Sequence, residues 1–200
     1  MARNIAVGID IGTYQIKVVV AEKSGDQNST HPHVLGTGFC ESKGLRHGYI
    51  VNVNEVTRSL KVALEQAEKS SGISIKRAYV SVGGIGLTGI ASSGTVMITR
   101  GDSEVTELDT QKAMEIARQE IPSALSQNRR IIYEIPVKSK VDGKDVLGNR
   151  PIGMKGVKLE IKALFITCLE HHLRDLVEAV QETGVEVIDI VASPIAASFV

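Results

Sequence analysis

Ile5 to Lys23 reads IAVGIDIGTYQIKVVVAEK. Apolar residues run on both sides of a short polar centre, Asp10–Ile11–Gly12–Thr13–Tyr14–Gln15. Valine, isoleucine and glycine dominate, and no helical period is present. The stretch therefore predicts two buried strands joined by a tight turn. Asp10 is the exceptional residue. A carboxylate buried in a strand is costly unless a cation or hydrogen-bond donors meet it. Gly12 lets the backbone turn and lets a ligand approach closely. The amides of Thr13, Tyr14 and Gln15 can then form a concave anion site. Thr13 adds a hydroxyl and Lys17 a positive charge. Together they make a plausible grip on a magnesium-bound nucleotide.

The rest of the composition narrows the class. The 200 residues allow one large or two small domains. They are 42% hydrophobic and 23% charged, which is an ordinary folded composition. Twenty-three basic residues balance 23 acidic ones, so no net charge directs the chain to nucleic acid. Aromatics make up 4% and tryptophan is absent, which removes the stacking platforms that single strands need. Cys40 and Cys168 form neither a disulfide framework nor a zinc spacing, so a reducing cytosol is expected. No run reaches the roughly 18 apolar residues of a membrane span, and no secretory leader is visible.

Beyond the hairpin, Ser24 to His31 reads as a polar loop and Val34 to Glu41 as a third strand. Gly44 to Gly48 is expected to be a loop. Asn52 or Asn54 caps a helix to about Ser71, with Val56, Leu60, Ala63, Leu64 and Ala67 inward and Gly72 at its end. Its outer face carries Arg58, Lys61, Glu65, Glu68 and Lys69, a solvated surface. Ile75 to Val82 is a strand closed by Gly83–Gly84. The texture then changes. Gly84 to Gly94 is rich in glycine and serine, and Thr95 to Thr99 reads as a short strand. Asp109 caps a helix to Glu120, which Pro122 stops. Arg129 to Lys140 is a strand with a turn at Asp142–Gly143, Pro151 to Gly156 is a compact loop, and Val157 to Thr167 is an alternating strand. This middle block reads as a small α+β module inserted into a larger one.

The first texture returns at Leu164. Glu170 to Thr183 is an amphipathic helix with Leu173, Leu176, Val177 and Val180 inward, and Gly184 ends it. Val185 to Val191 is a buried strand. Ser193–Pro194 opens a helix that reaches only about two turns by Val200, so the sequence reads as a piece of a longer chain. Gly83–Gly84 and Gly153 to Gly156 read as turns, because neither is followed by a helix start. Neighbouring histidines on a helix point about 100° apart, so His171–His172 is a poor chelate. His171 and Asp175, four apart, are expected to form an exposed pair. His31–Pro32–His33 invites the same metal reading and carries it no further.

Several ordered stretches resemble one family. Asp10–Ile11–Gly12–Thr13 with Lys17 resembles the phosphate-1 motif of the actin, Hsp70 and sugar kinase superfamily. The segment from Gly44 to Ile50, the run Ala78 to Gly84, the run Arg130 to Pro136, Val141–Asp142–Gly143 and Pro151 to Gly156 resemble the FtsA family of bacterial cell-division proteins. So does Val187 to Ser198. The resemblance covers nearly the whole chain and implies an α/β fold. That fold is an actin/ribonuclease-H-like mixed sheet with helices (subdomain 1A, residues 1–82 and 163–200) carrying an inserted α+β subdomain (1C, residues 83–162).

The same resemblance implies function. Asp10, Gly12, Thr13, Tyr14, Gln15 and Lys17 would bind ATP, with Asp10 holding Mg through water. FtsZ and later division proteins would be the partners, with self-association through subdomain 1C. The location would be cytoplasmic, at the inner face of the membrane at the division site. Membrane attachment in the family runs through a C-terminal amphipathic helix, and this sequence corresponds to the first lobe only. Many hydrolysing relatives carry an acid where Ser193 precedes Pro194, so at most weak ATP hydrolysis is expected. The superfamily leaves two alternatives open: a pilus-assembly adaptor, and a small-molecule kinase of the actin fold.

Overall fold

The structure, a computed structural model, describes residues 4–23 and 32–198. The loop expected over 24–31, with His31, and the helix end at 199–200 lie outside the described residues. The chain forms two compact units, residues 1–87 with 169–200, and residues 88–168.

In the first unit, β1 (Ile5–Ile11) and β2 (Gln15–Glu22) form the expected hairpin, and β3 (His33–Glu41) adds antiparallel to β2. The expected loop after it is instead a small hairpin, β4 (Leu45–Arg46) and β5 (Tyr49–Ile50). Its two-residue turn has φ of 51° at His47 and 84° at Gly48, the double positive φ that a tight twisted hairpin requires. Helix α1 (Val53–Ser71) starts at Asn52, whose side chain accepts from the Glu55 amide, and ends at Gly72 in the left-handed region. Its buried residues include all five of the expected apolar face. Glu68 departs from its expected solvated role: its carboxylate accepts the Ile75 amide at 2.6 Å. That bond holds the lead into β6 (Arg77–Val82).

Three elements from the end of the chain complete this unit: α4 (Glu170–Gln181), β11 (Glu186–Ala192) and α5 (Ser193–Ala197). The five-stranded sheet runs β11-β6-β1-β2-β3. β11, β6 and β1 are parallel, and β2 and β3 are antiparallel additions. Val7, Ile9, Ile11, Ile16, Val18 and Val20 are buried and, by register, share one face. Helix α1 covers that face. The fit is close at Gly38, where a Cβ would lie 1.8 Å from the Ala63 carbonyl oxygen. Helix α4 buries Leu173, Leu176 and Val180 as expected, with His172 and Ala179 beside them, whereas Val177 is half-buried.

The second unit is a sheet in the order β7-β10-β8-β9. Strand β7 (Leu87–Met97) is eleven residues long and runs through the glycine- and serine-rich stretch, in place of the short strand expected over 95–99. The small residues serve packing: a Cβ on Gly94 would lie 1.9 Å from the Ala113 carbonyl oxygen of α2 (Glu107–Gln119). Asp109 does not cap α2. Thr106 does, and Asp109 sits three residues on and closes a capping box. A single turn, α3 (Ser123–Ser126), follows Pro122. Strand β8 (Arg129–Val141), the short β9 (Lys144–Asp145) and β10 (Lys158–Leu169) complete the sheet. Ile98, Val105, Ala113, Val141, Leu159 and Ile161 form one part of its core. Ile90, Ala117, Ile121, Ala163 and Phe165 form the other.

Candidate functional site

The parallel strands β1, β6 and β11 bring three chain segments to one end of the sheet. In open α/β sheets the crevice outside the carboxyl ends of parallel strands is where ligands bind. Here that end holds a cavity of about 120 Å³. It is lined by Asp10, Gly12 and Thr13 from the first hairpin, Ser81, Gly83 and Gly84 from the end of β6, and Ser193 after β11. Gly48, His172 and Leu176 close another side.

Asp10 is half-buried near the end of β1. Its register partners are Ser81 on β6 and Lys17 on β2. The Ser81 hydroxyl donates to Asp10 Oδ1, and the Ser193 hydroxyl donates to Ser81 Oγ at 3.3 Å. One carboxylate oxygen is therefore held in place, and the group faces the cavity as an acceptor. The turn that follows is stapled. The Gly12 amide donates to the Gln15 carbonyl at 3.3 Å, the Ser42 hydroxyl donates to the Gly12 carbonyl at 2.5 Å, and the Ser42 amide donates to the Tyr14 carbonyl at 3.1 Å. A Cβ on Gly12 would stand 3.0 Å from the Gln15 carbonyl oxygen, so glycine keeps the turn tight.

Of the six residues read from the sequence, Asp10, Gly12 and Thr13 line this cavity. Tyr14 is 84% exposed at the hairpin tip, and Gln15 and Lys17 stand on β2 away from the lining. Lys17 is exposed on the sheet face opposite α1, directly across from Asp10. The magnesium reading fits the donor set. A single half-buried carboxylate with one oxygen held by a hydroxyl suits a hard cation that keeps most of its water shell. Among the described residues no cluster of three or more metal-ligating side chains exists.

Sequence reasoning missed Ser81, Gly48 and His172, and read Gly83–Gly84 as an isolated turn. Gly84 has φ of 76°, and a Cβ on Gly83 would meet Ser193 Oγ at 3.0 Å, so both glycines are fitted to the cavity wall. The available signal was a serine one residue before the end of a buried strand, followed by a glycine pair. His172 is 3% exposed and meets Tyr49 edge-on at a centroid distance of 5.3 Å. Burial, with a smaller contribution from the neighbouring His171, pushes its pKa below the ordinary histidine value, and Asp175 opposes that shift. His171 and Asp175 do not form the expected pair. His171 stacks on Tyr49, and the carboxylate of Asp175 stands 3.9 Å from the Arg174 guanidinium.

Comparison with known proteins agrees with this architecture. Residues 84–167 match the model of the SHS2 domain inserted in FtsA. The chain is 34% identical over 190 residues to cell division protein FtsA of Streptococcus pneumoniae, covering 94% of this chain and 40% of the relative. It is 32% identical to FtsA of Bacillus subtilis, covering 96% of this chain and 42% of the relative. It is 33% identical to FtsA of Borreliella burgdorferi over the whole chain and 46% of the relative. The chain thus spans less than half the length of these relatives. Among solved structures, the PilM-PilN type IV pilus biogenesis complex superposes with a TM-score of 0.63 at 13% identity, over 97% of this chain and 49% of that one. The fold is the actin-like mixed sheet with an inserted α+β domain.

Proposed function

From its likeness to FtsA over nearly its whole length, we propose that this chain is the first lobe of an actin-like division protein that grips Mg-ATP and assembles with FtsZ. The first unit is the nucleotide-binding 1A, and the second is the assembly subdomain 1C. Asp10 holds Mg through water, and Gly12 and Thr13 meet the phosphates with Ser81, Gly83 and Gly84 facing them, while Tyr14, Gln15 and Lys17 border the site outside the cavity lining. The protein works at the inner face of the membrane, which it reaches through a C-terminal amphipathic helix, and recruits later division proteins. Ser193 stands where an acid would order the attacking water. A serine hydroxyl is too weak a base for that task, so hydrolysis is slow and nucleotide acts as a switch for assembly.

The observation that carries the nucleotide reading is the convergence of Asp10, Gly12, Ser81 and Gly83 on one cavity at the carboxyl ends of parallel strands. The test is calorimetric titration of Mg-ATP into the two-lobe protein that contains this chain, with Asp10→Ala beside it. Micromolar binding that falls at least tenfold in the variant supports the reading, and equal affinity overturns it. Co-sedimentation with FtsZ tests the partner separately. No observation in the fold favours the kinase alternative: no second acid stands beside Asp10 in the cavity lining.

A further inference from the structure

His172 lies in the first turn of α4, is 3% exposed and lines the same cavity as Asp10, Gly12 and Ser193. Neither ring nitrogen has a hydrogen-bond partner among the described residues, and Nδ1 is fully buried. Tyr49 meets the ring edge-on at 5.3 Å and fixes its plane. An imidazole buried without partners costs stability. Leucine or phenylalanine would fill the same space without that cost, so packing alone does not account for a histidine here.

The arrangement decides what the ring can offer. Burial keeps it neutral at pH 7, so it carries a single N–H. Nδ1 has no acceptor to which it could give a proton. The proton therefore belongs on Nε2, the nitrogen that is not sealed, and the ring presents a donor to the cavity it lines. No side chain caps the N-terminal turn of α4, whose backbone amides favour an anion nearby.

The size of the cavity sets what can enter. At about 120 Å³ it is smaller than the roughly 300–1,000 Å³ that encloses a whole small ligand. It takes one end of a ligand, and a donor beside a helix N-terminus suits a phosphoryl group. Magnesium on a nucleoside triphosphate bridges the second and third phosphoryl groups. The group that enters beside Asp10 is then the third.

We propose that His172 reads the third phosphoryl group of a nucleoside triphosphate, with Nε2–H donating to one of its oxygens and Tyr49 holding the ring in place. The role rests on the magnesium-nucleotide reading of the cavity and adds to it a means of telling triphosphate from diphosphate. A bound diphosphate leaves Nε2–H without an acceptor.

The experiment is calorimetric titration of Mg-ATP and of Mg-ADP into the two-lobe protein that contains this chain, with His172→Phe and His172→Gln beside the parent. Phenylalanine keeps a ring against Tyr49 and removes the donor. Glutamine keeps an amide N–H at the reach of Nε2. His172→Phe should lower Mg-ATP affinity roughly tenfold and leave Mg-ADP affinity within about twofold, and His172→Gln should recover most of the loss. Long-range proton–nitrogen NMR spectra of the imidazole in the parent give a readout that needs no substitution. The proton should lie on Nε2, and its resonance should move on saturation with Mg-ATP and stay in place with Mg-ADP. The proposal is overturned by equal Mg-ATP affinity in parent and His172→Phe, by equal losses for the two nucleotides, by a proton on Nδ1, or by a resonance that Mg-ATP does not move. Affinity lost in Asp10→Ala but kept in His172→Phe overturns the role of His172 alone and leaves the nucleotide reading standing. A parent that does not bind Mg-ATP overturns both.

Discussion

Asp10 and Ser81 stand opposite each other on neighbouring parallel strands, and the Ser81 hydroxyl donates to the Asp10 carboxylate. The bond fixes one oxygen of the group that would face a hydrated cation. Ser81→Ala should leave the fold intact and remove about 1 kcal/mol of this organisation. Mg-ATP affinity of the two-lobe protein is then expected to fall roughly fivefold, measured by calorimetry. An unchanged affinity would show that Asp10 needs no positioning.

Gly38 and Gly94 serve the same purpose in the two units. Each lies where a helix backbone touches the sheet, α1 at Ala63 and α2 at Ala113, and a Cβ would sit within 2 Å of a carbonyl oxygen. Backbone cannot give way as a flexible side chain can. Gly38→Ala and Gly94→Ala should each cost about 1–3 kcal/mol or more, read as a lowered urea midpoint. Gly8→Ala is the control. A Cβ there meets nothing within 4 Å, so stability should change by about 0.5 kcal/mol or less.

Acid should weaken the second unit through Asp109. This carboxylate is 3% exposed and is bound by the Arg100 guanidinium at 2.5 and 3.1 Å. That contact first, and the Thr106 hydroxyl and amide next, hold its pKa well below the ordinary carboxylate value. Folding therefore weakens its hold on a proton. Its contribution is complete above the ordinary value near pH 4 and is lost as pH falls through that value toward the lower, folded one. Asp109→Asn should cost about 1 kcal/mol at pH 7 through the broken capping box. It should also shrink the difference in urea midpoint between pH 7 and pH 3. A variant as acid-sensitive as the parent would show that other carboxylates govern this limb.

Histidine 172 predicts a second, milder pH dependence. Its folded pKa lies below the ordinary value, chiefly because it is buried. Its contribution is complete above about pH 6.5 and is lost as pH falls below that value and the unfolded chain takes the proton more readily. His172→Phe keeps a ring against Tyr49 and should flatten stability between about pH 7 and 5. An NMR titration of the imidazole provides the direct check, and a midpoint at or above 6.5 would refute the assignment.

The legible parts of this fold were those in which local pattern and burial agree. The Ile5 to Lys23 hairpin shows its strands because apolar residues flank one polar turn, and α1 shows its ends because Asn52 and Gly72 fit specific backbone angles. Strand β7 was hidden because Gly94 and its small neighbours answer to α2 rather than to strand propensity. Asp109 looked like a helix cap because a capping box and a cap use the same residue types three positions apart. Half of the candidate site was visible in Asp10 and Gly12. The other half, Ser81 and Gly83, lies some seventy residues away and meets them only through the register of β1 on β6. No local window contains that register.

The Thr167 hydroxyl donates to the Thr88 carbonyl at 3.2 Å, so the second unit begins and ends at one place. On a ribosome this has a consequence for timing. Residues 88–168 can close upon themselves as soon as they emerge, while the first sheet still lacks β11, its outermost parallel strand. The earlier strands must wait through the synthesis of the whole insert, and the cavity gains its Ser193 wall last. The edge of β6 therefore stays open to a wrong neighbour for as long as translation up to β11 takes, whatever the folding speed of the insert.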